Sequence, residues 1–86
     1  EIARKVGGMM QQIAGSQQVI VITHLPQIAS LGTNHLFVYK SENGQSVETQ
    51  VRILTGDERI NEIAKMISGD TLTAHAVEQS KELLKG

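Results

Sequence analysis

Histidine 24 is the residue in this chain best placed to do chemistry. It stands after Val19, Ile20, Val21 and Ile22, an unbroken β-branched run of the kind found in a sheet strand buried on both faces. Thr23 and His24 end the run, and Pro26 then forbids a hydrogen-bonded ladder from continuing. A strand over 18–23 is therefore expected, with a titratable ring where it opens into a loop. In open α/β sheets, ligands bind at that carboxyl end of the strand. Position alone leaves two readings open: a ligand-facing imidazole, or a loop histidine satisfied by nearby backbone.

The other chemical candidates are weaker. His35 opens a predicted strand and reads as structural, and His75 falls early in the last predicted helix and reads as solvent-facing. The three histidines have no metal-ligand spacing, and no cysteine or paired carboxylate stands near them in sequence, so no metal site is expected. Neither a GxGxxG nor a GxxxxGK[ST] loop occurs, so these residues cannot by themselves cradle a triphosphate. No Ser or Cys nucleophile sits in a recognisable elbow. As a self-contained enzyme the sequence looks incomplete.

The chain has 86 residues, which makes one domain, 1–86, with a small core. A net charge of −1 with scattered Lys and Arg leaves no electrostatic footprint for nucleic acid. Phe37 and Tyr39 are the only aromatic residues, so base-stacking platforms are excluded. The absence of cysteine fits a reducing compartment, and no apolar run approaches the roughly 20 residues of a membrane span. Because residue 1 is Glu rather than Met, a fragment of a longer protein is expected.

Residues 1–14 read as an amphipathic helix with Ile2, Val6, Met9 and Ile13 on its apolar stripe and two glycines, Gly7 and Gly8, in its middle. Residues 25–31 suggest one short helical segment with Pro26 in its first turn. The next signal is a β-hairpin, two strands joined at Asn43-Gly44 by a type I′ turn with Glu42 facing Gln45. In that register Leu36 faces Val51, Val38 faces Thr49 and Lys40 faces Val47, an apolar side fit to pack on a core. Phe37 and Tyr39 lie on the other side. Thr55 to Glu58 has the form of a capping box with Thr55 as N-cap. A helix follows to about residue 68 on the stripe Ile60, Ile63, Ala64 and Ile67, stopped by Gly69. A last helix begins near Thr71 or Thr73, with Ala76, Val77, Ser80, Leu83 and Leu84 inward and Glu78–Lys81 and Glu82–Lys85 pairs outward.

The segment ITHLPQIASLG, with the strand and helix before it, resembles the H-loop region of an ABC-type ATPase. Its THLPQ form is similar to that of the RecN family of DNA-repair ATPases, relatives of the SMC proteins. The likeness continues through FVYK, VETQVRIL and ERINEIAKMISG, and so covers nearly the whole chain. It implies the C-terminal part of an ABC-type ATPase head, an α/β fold with helix, buried strand, hairpin and two final helices around an incomplete sheet. The phosphate loop, signature motif and acidic strand of such a head would lie upstream.

Of the family's functional residues only the switch histidine carries over, onto His24. An imidazole suits that role, since its N–H can donate to a γ-phosphate oxygen and it can take up a proton beside an anion. By the same resemblance Thr23 fixes the loop backbone and Gln27 bonds near the nucleotide or a partner subunit; the plain reading of Gln27 is a polar helix residue in water. ATP with Mg²⁺ is expected in the full-length protein and no cofactor on these residues alone, which should be inactive. The implied partners are the rest of the head, a second copy in a homodimer and, through other regions, DNA in double-strand break repair. A bacterial, cytoplasmic, nucleoid-associated location follows, with no membrane. Left without a neighbour, strand 19–23 would have an unpaired edge that favours self-association. The alternatives are the same segment of another SMC-like or ABC-class ATPase, or a noncatalytic α/β interaction module.

Overall fold

A computed structural model describes residues 1–69 and 71–86. The elements in chain order are helix α1 (Ile2–Ala14), the short α2 (Pro26–Ala29), strands β1 (His35–Asn43) and β2 (Ser46–Leu54), and helices α3 (Asp57–Ser68) and α4 (Ala74–Lys85). The α/β class and the incomplete sheet are as expected. Among the described residues the sheet has only two strands, β1 and β2.

The expected strand over 18–23 is not formed. The segment runs outside any sheet, Val19 is half-buried, and Ile20 and Ile22 are 74% and 100% exposed. A β-branched run prefers extended backbone, but a strand exists only when another strand takes up its N–H and C=O groups. No strand among the described residues does so.

The hairpin is present with its register shifted by two residues. Asn43 pairs with Ser46, Val38 with Val51 and Leu36 with Ile53. The turn is therefore Gly44-Gln45, not Asn43-Gly44, and Gly44 takes φ +67° while among the described residues no non-glycine residue has positive φ. That is the II′ pattern, which places its single positive φ on glycine; a type I′ turn would have forced Asn43 there too. A shift of two preserves which residues share a side.

The side that packs is the unexpected one. Phe37 and Tyr39 are half-buried, Phe37 beside α3, whereas Leu36, Val38, Val47, Val51 and Ile53 are 49–62% exposed. The facing surface of α3 is polar, with Glu58, Asn61, Glu62 and Lys65 beside Phe37, Arg52 and Leu54. Arg52 meets the Glu58 carboxylate at 2.6 Å, and its guanidinium stands 5.8 Å over the Phe37 ring, which stacks on Tyr39. The hairpin side that carries the cation and the Phe37 ring is thus the one beside the polar side of α3.

The Glu58 pairing also displaces the capping box. The N-cap of α3 is Gly56 without a side-chain cap, and the Glu58 carboxylate goes to Arg52 instead. Of the two expected starts of α4, Thr71 and Thr73, the structure takes Thr73 as N-cap, its hydroxyl accepting from the Ala76 N–H at 3.0 Å. The stripe on α1 is also displaced. Ile2 and Met9 are 81% and 62% exposed, and Gly7 is the buried residue of the helix, with Ala3, Val6 and Met10 half-buried beside it.

The core lies where α3 and α4 cross the end of β2 and the turn after α2. Ile63, Ala64, Ala76 and Leu54 are buried there with Ser30 and Ser80. The Ser80 hydroxyl satisfies itself on the Val77 carbonyl at 2.8 Å, which allows a hydroxyl at the centre of an apolar contact.

Candidate functional site

The His24 loop is built from local bonds at its entry and from distant side chains at its exit. The Thr23 hydroxyl accepts the Leu25 N–H at 3.0 Å, a side-chain turn that reverses the backbone around His24. Pro26 then starts α2 with its φ already helical and no N–H to leave unsatisfied. His24 is exposed, as is Gln27 on the first turn of α2, while Thr23 is half-buried. The structure therefore brings these residues together only as neighbours on one turn. Two concavities of about 330 and 280 Å³ lie along α3, and neither is lined by any of the three.

The exit of the loop is held from two helices. From α3, Nη2 of Arg59 donates to the carbonyls of Gly32 at 2.6 Å, Ala29 at 3.2 Å and Ser30 at 3.4 Å. From α1, the Gln11 side-chain amide donates to the Leu31 carbonyl at 3.3 Å. Four consecutive carbonyls at the end of a short helix, where intrahelical donors run out, are thus all met by side chains from elsewhere. A cation there also faces the negative end of the helix dipole.

Arg59 was not among the residues expected from the sequence to matter. The signal was its spacing, one turn before Ile63 and beside Ile60, on the buried edge of the α3 stripe, where a solvated cation does not belong. Burial lowers the Arg59 pKa from its ordinary value. His35, half-buried at the start of β1, has its pKa lowered by burial first and by the Arg59 charge second, with Glu62 acting against both. Its Nδ1 and the Nε of Arg59 are buried without a hydrogen-bond partner among the described residues.

Such a loop can present an imidazole and an amide to a ligand held by other parts of a molecule; it cannot enclose one. Among the described residues no group of three or more His, Asp or Glu could hold a metal ion, and no helix is long and apolar enough to cross a membrane.

No family model matches the chain. It is 40% identical over 83 residues to the DNA repair protein RecN of Halalkalibacterium halodurans, an alignment that takes in 96% of this chain and 15% of that protein. Against the DNA repair protein RecN of Deinococcus radiodurans it is 48% identical over 82 residues, 94% of this chain and 14% of that one. The DNA repair protein RecN of Rickettsia typhi matches at 40% identity over 84 residues, 98% of this chain and 15% of its own length. The chain thus spans 14–15% of the length of these curated relatives. Such identity runs through nearly every element described above, and what the chain matches is the C-terminal part of RecN.

Proposed function

We propose that these residues form part of a RecN-type ATPase that works in the repair of DNA double-strand breaks, and that His24 is its switch histidine. The reading rests on one observation above the rest: an exposed imidazole on a turn shaped by a local bond at its entry and held at its exit from α3, inside a segment akin to proteins named for DNA repair. In phosphoryl transfer to water a protein works mainly by positioning groups and stabilising charge on the phosphate. The His24 N–H donates to a γ-phosphate oxygen, Thr23 holds the turn that aims it, and Gln27 lies one turn further on toward nucleotide or partner. ATP and Mg²⁺ are held by residues outside this chain.

The working form is a pair of heads that close on ATP and open on hydrolysis, with DNA bound through other regions, in the bacterial cytoplasm at the nucleoid. The direct test is His24→Ala in the full-length protein. The hydrolysis rate is expected to fall far more than ATP affinity, and unchanged turnover would overturn the assignment. Calorimetry on residues 1–86 alone is expected to detect no nucleotide binding; micromolar binding would contradict the division of labour.

A further inference from the structure

We infer that Arg59 is the positioning residue of the His24 loop, the link through which the hydrophobic core sets where that imidazole stands. The inference rests on the reading of His24 as the switch histidine and adds to it a residue far away in sequence. Helix α2 has four residues, one turn, too short to hold its own shape or direction in water. Its orientation must come from what grips its ends. At the entry that is the Thr23 turn, which travels with the loop and so fixes its shape but not its place.

The place is set at the exit. Arg59 reaches three of the four carbonyls of residues 29–32, and Gln11 takes the other. The two grips are unequal. Gln11 is exposed on α1, a helix whose apolar residues Ile2 and Met9 lie open. Arg59 is half-buried on α3, one turn before the fully buried Ile63, and so is tied to the best-packed point of the molecule. All three of its bonds come from one terminal nitrogen, Nη2, on which the three carbonyls converge. A line of contacts runs from Ile63 through Arg59 to the end of α2 and along one helical turn to His24.

The test compares Arg59→Gln, Arg59→Lys, His24→Ala and the Arg59→Gln/His24→Ala pair in the full-length protein. It measures kcat and KM for ATP, and the Kd of a slowly hydrolysed ATP analogue. Since an ångström of misplacement can cost up to about a hundredfold, Arg59→Gln is expected to lower kcat by about tenfold. Analogue Kd should stay within about twofold, Arg59→Lys should recover part of the loss, and Arg59→Gln should cost nothing more once His24 is alanine. Arg59 does not act through His24 if Arg59→Gln leaves kcat unchanged, or removes the same factor in the His24→Ala background. If His24→Ala itself leaves turnover intact, the switch reading fails and this inference with it. Should Arg59→Gln fail to fold, Arg59→Lys, which keeps the charge and the stem, carries the same comparison with His24→Ala.

Discussion

Gly7, buried in the middle of α1, lies directly under Leu31, whose Cδ1 stands where a β-carbon on residue 7 would have to go. Gly8, its neighbour, has nothing within 4 Å of the same position. Two adjacent glycines in one helix therefore have different reasons to be there. The first lets α1 come down onto the turn whose carbonyls Arg59 and Gln11 hold; the second packs against nothing.

Replacing each by alanine separates the two. Gly8→Ala gains helix propensity alone and is expected to stabilise the chain by about 0.5–1 kcal/mol. Gly7→Ala gains the same propensity but must push the Leu31 side chain aside, so its stability should fall below that of Gly8→Ala by at least about 0.5 kcal/mol. Urea unfolding of both variants checks this. Equal midpoints would mean that Leu31 moves away freely and that the close approach is incidental.

The cap of α4 gives a second measurement. Thr73→Ala removes the acceptor of the Ala76 N–H and should cost about 1 kcal/mol, while Thr73→Ser should restore most of it. Ala76 is buried, so an N–H lost there has little water to turn to. Thermal unfolding in which all three proteins melt together would show that the hydroxyl contributes nothing.

Stability should also depend on pH through His35. Its folded pKa lies below the ordinary value of 6.5, chiefly through burial. In the unfolded chain the ring gains its proton first as pH falls, so acid favours unfolding. The stabilisation is fully present above pH 6.5 and declines as pH drops through that value toward the folded pKa. Equilibrium unfolding between pH 7.5 and 5.5 should show the decline, and His35→Asn should flatten it over that roughly two-unit window. A slope that survives in His35→Asn belongs to another group.

The outer side of the hairpin makes a prediction about association. Leu36, Val38, Val47, Val51 and Ile53 form an exposed apolar surface, and Ile20, Val21 and Ile22 are exposed as well. Apolar patches of this kind are where chains meet, and the unpaired backbone of 19–23 adds donors and acceptors to the tendency. Residues 1–86 by themselves are expected to self-associate in sedimentation at high concentration. Lysine at Val38 and Val51 together should shift them toward monomer. A parent chain that sediments as a monomer throughout would count against the expectation.

Most local signals were readable where a short stretch contained its own partners, the exceptions being the Thr55–Glu58 capping box and the turn at Asn43-Gly44. The end of α3, the start of α4, the Glu78–Lys81 and Glu82–Lys85 pairs and the existence of the hairpin all depend on residues within a few positions of one another. Reading failed where the partner was distant. The run from Val19 to Ile22 has every preference for a strand and forms none, since a strand needs a neighbour that no local pattern supplies. The hairpin has its less apolar side toward α3, where Arg52 meets Glu58, a pairing invisible in either strand.

By itself the sequence determined that this is an α/β chain similar to the C-terminal part of RecN, with a lone imidazole placed after a β-branched run and before a proline-started turn. Its periodicities, caps and motifs are contiguous, so they are legible in one dimension. Only the tertiary structure decided what grips that turn. Arg59 and Gln11 reach residues 29–32 from helices 27–30 and 20 positions away. A hydrogen bond depends on where atoms stand in space, and no spacing along the chain encodes that.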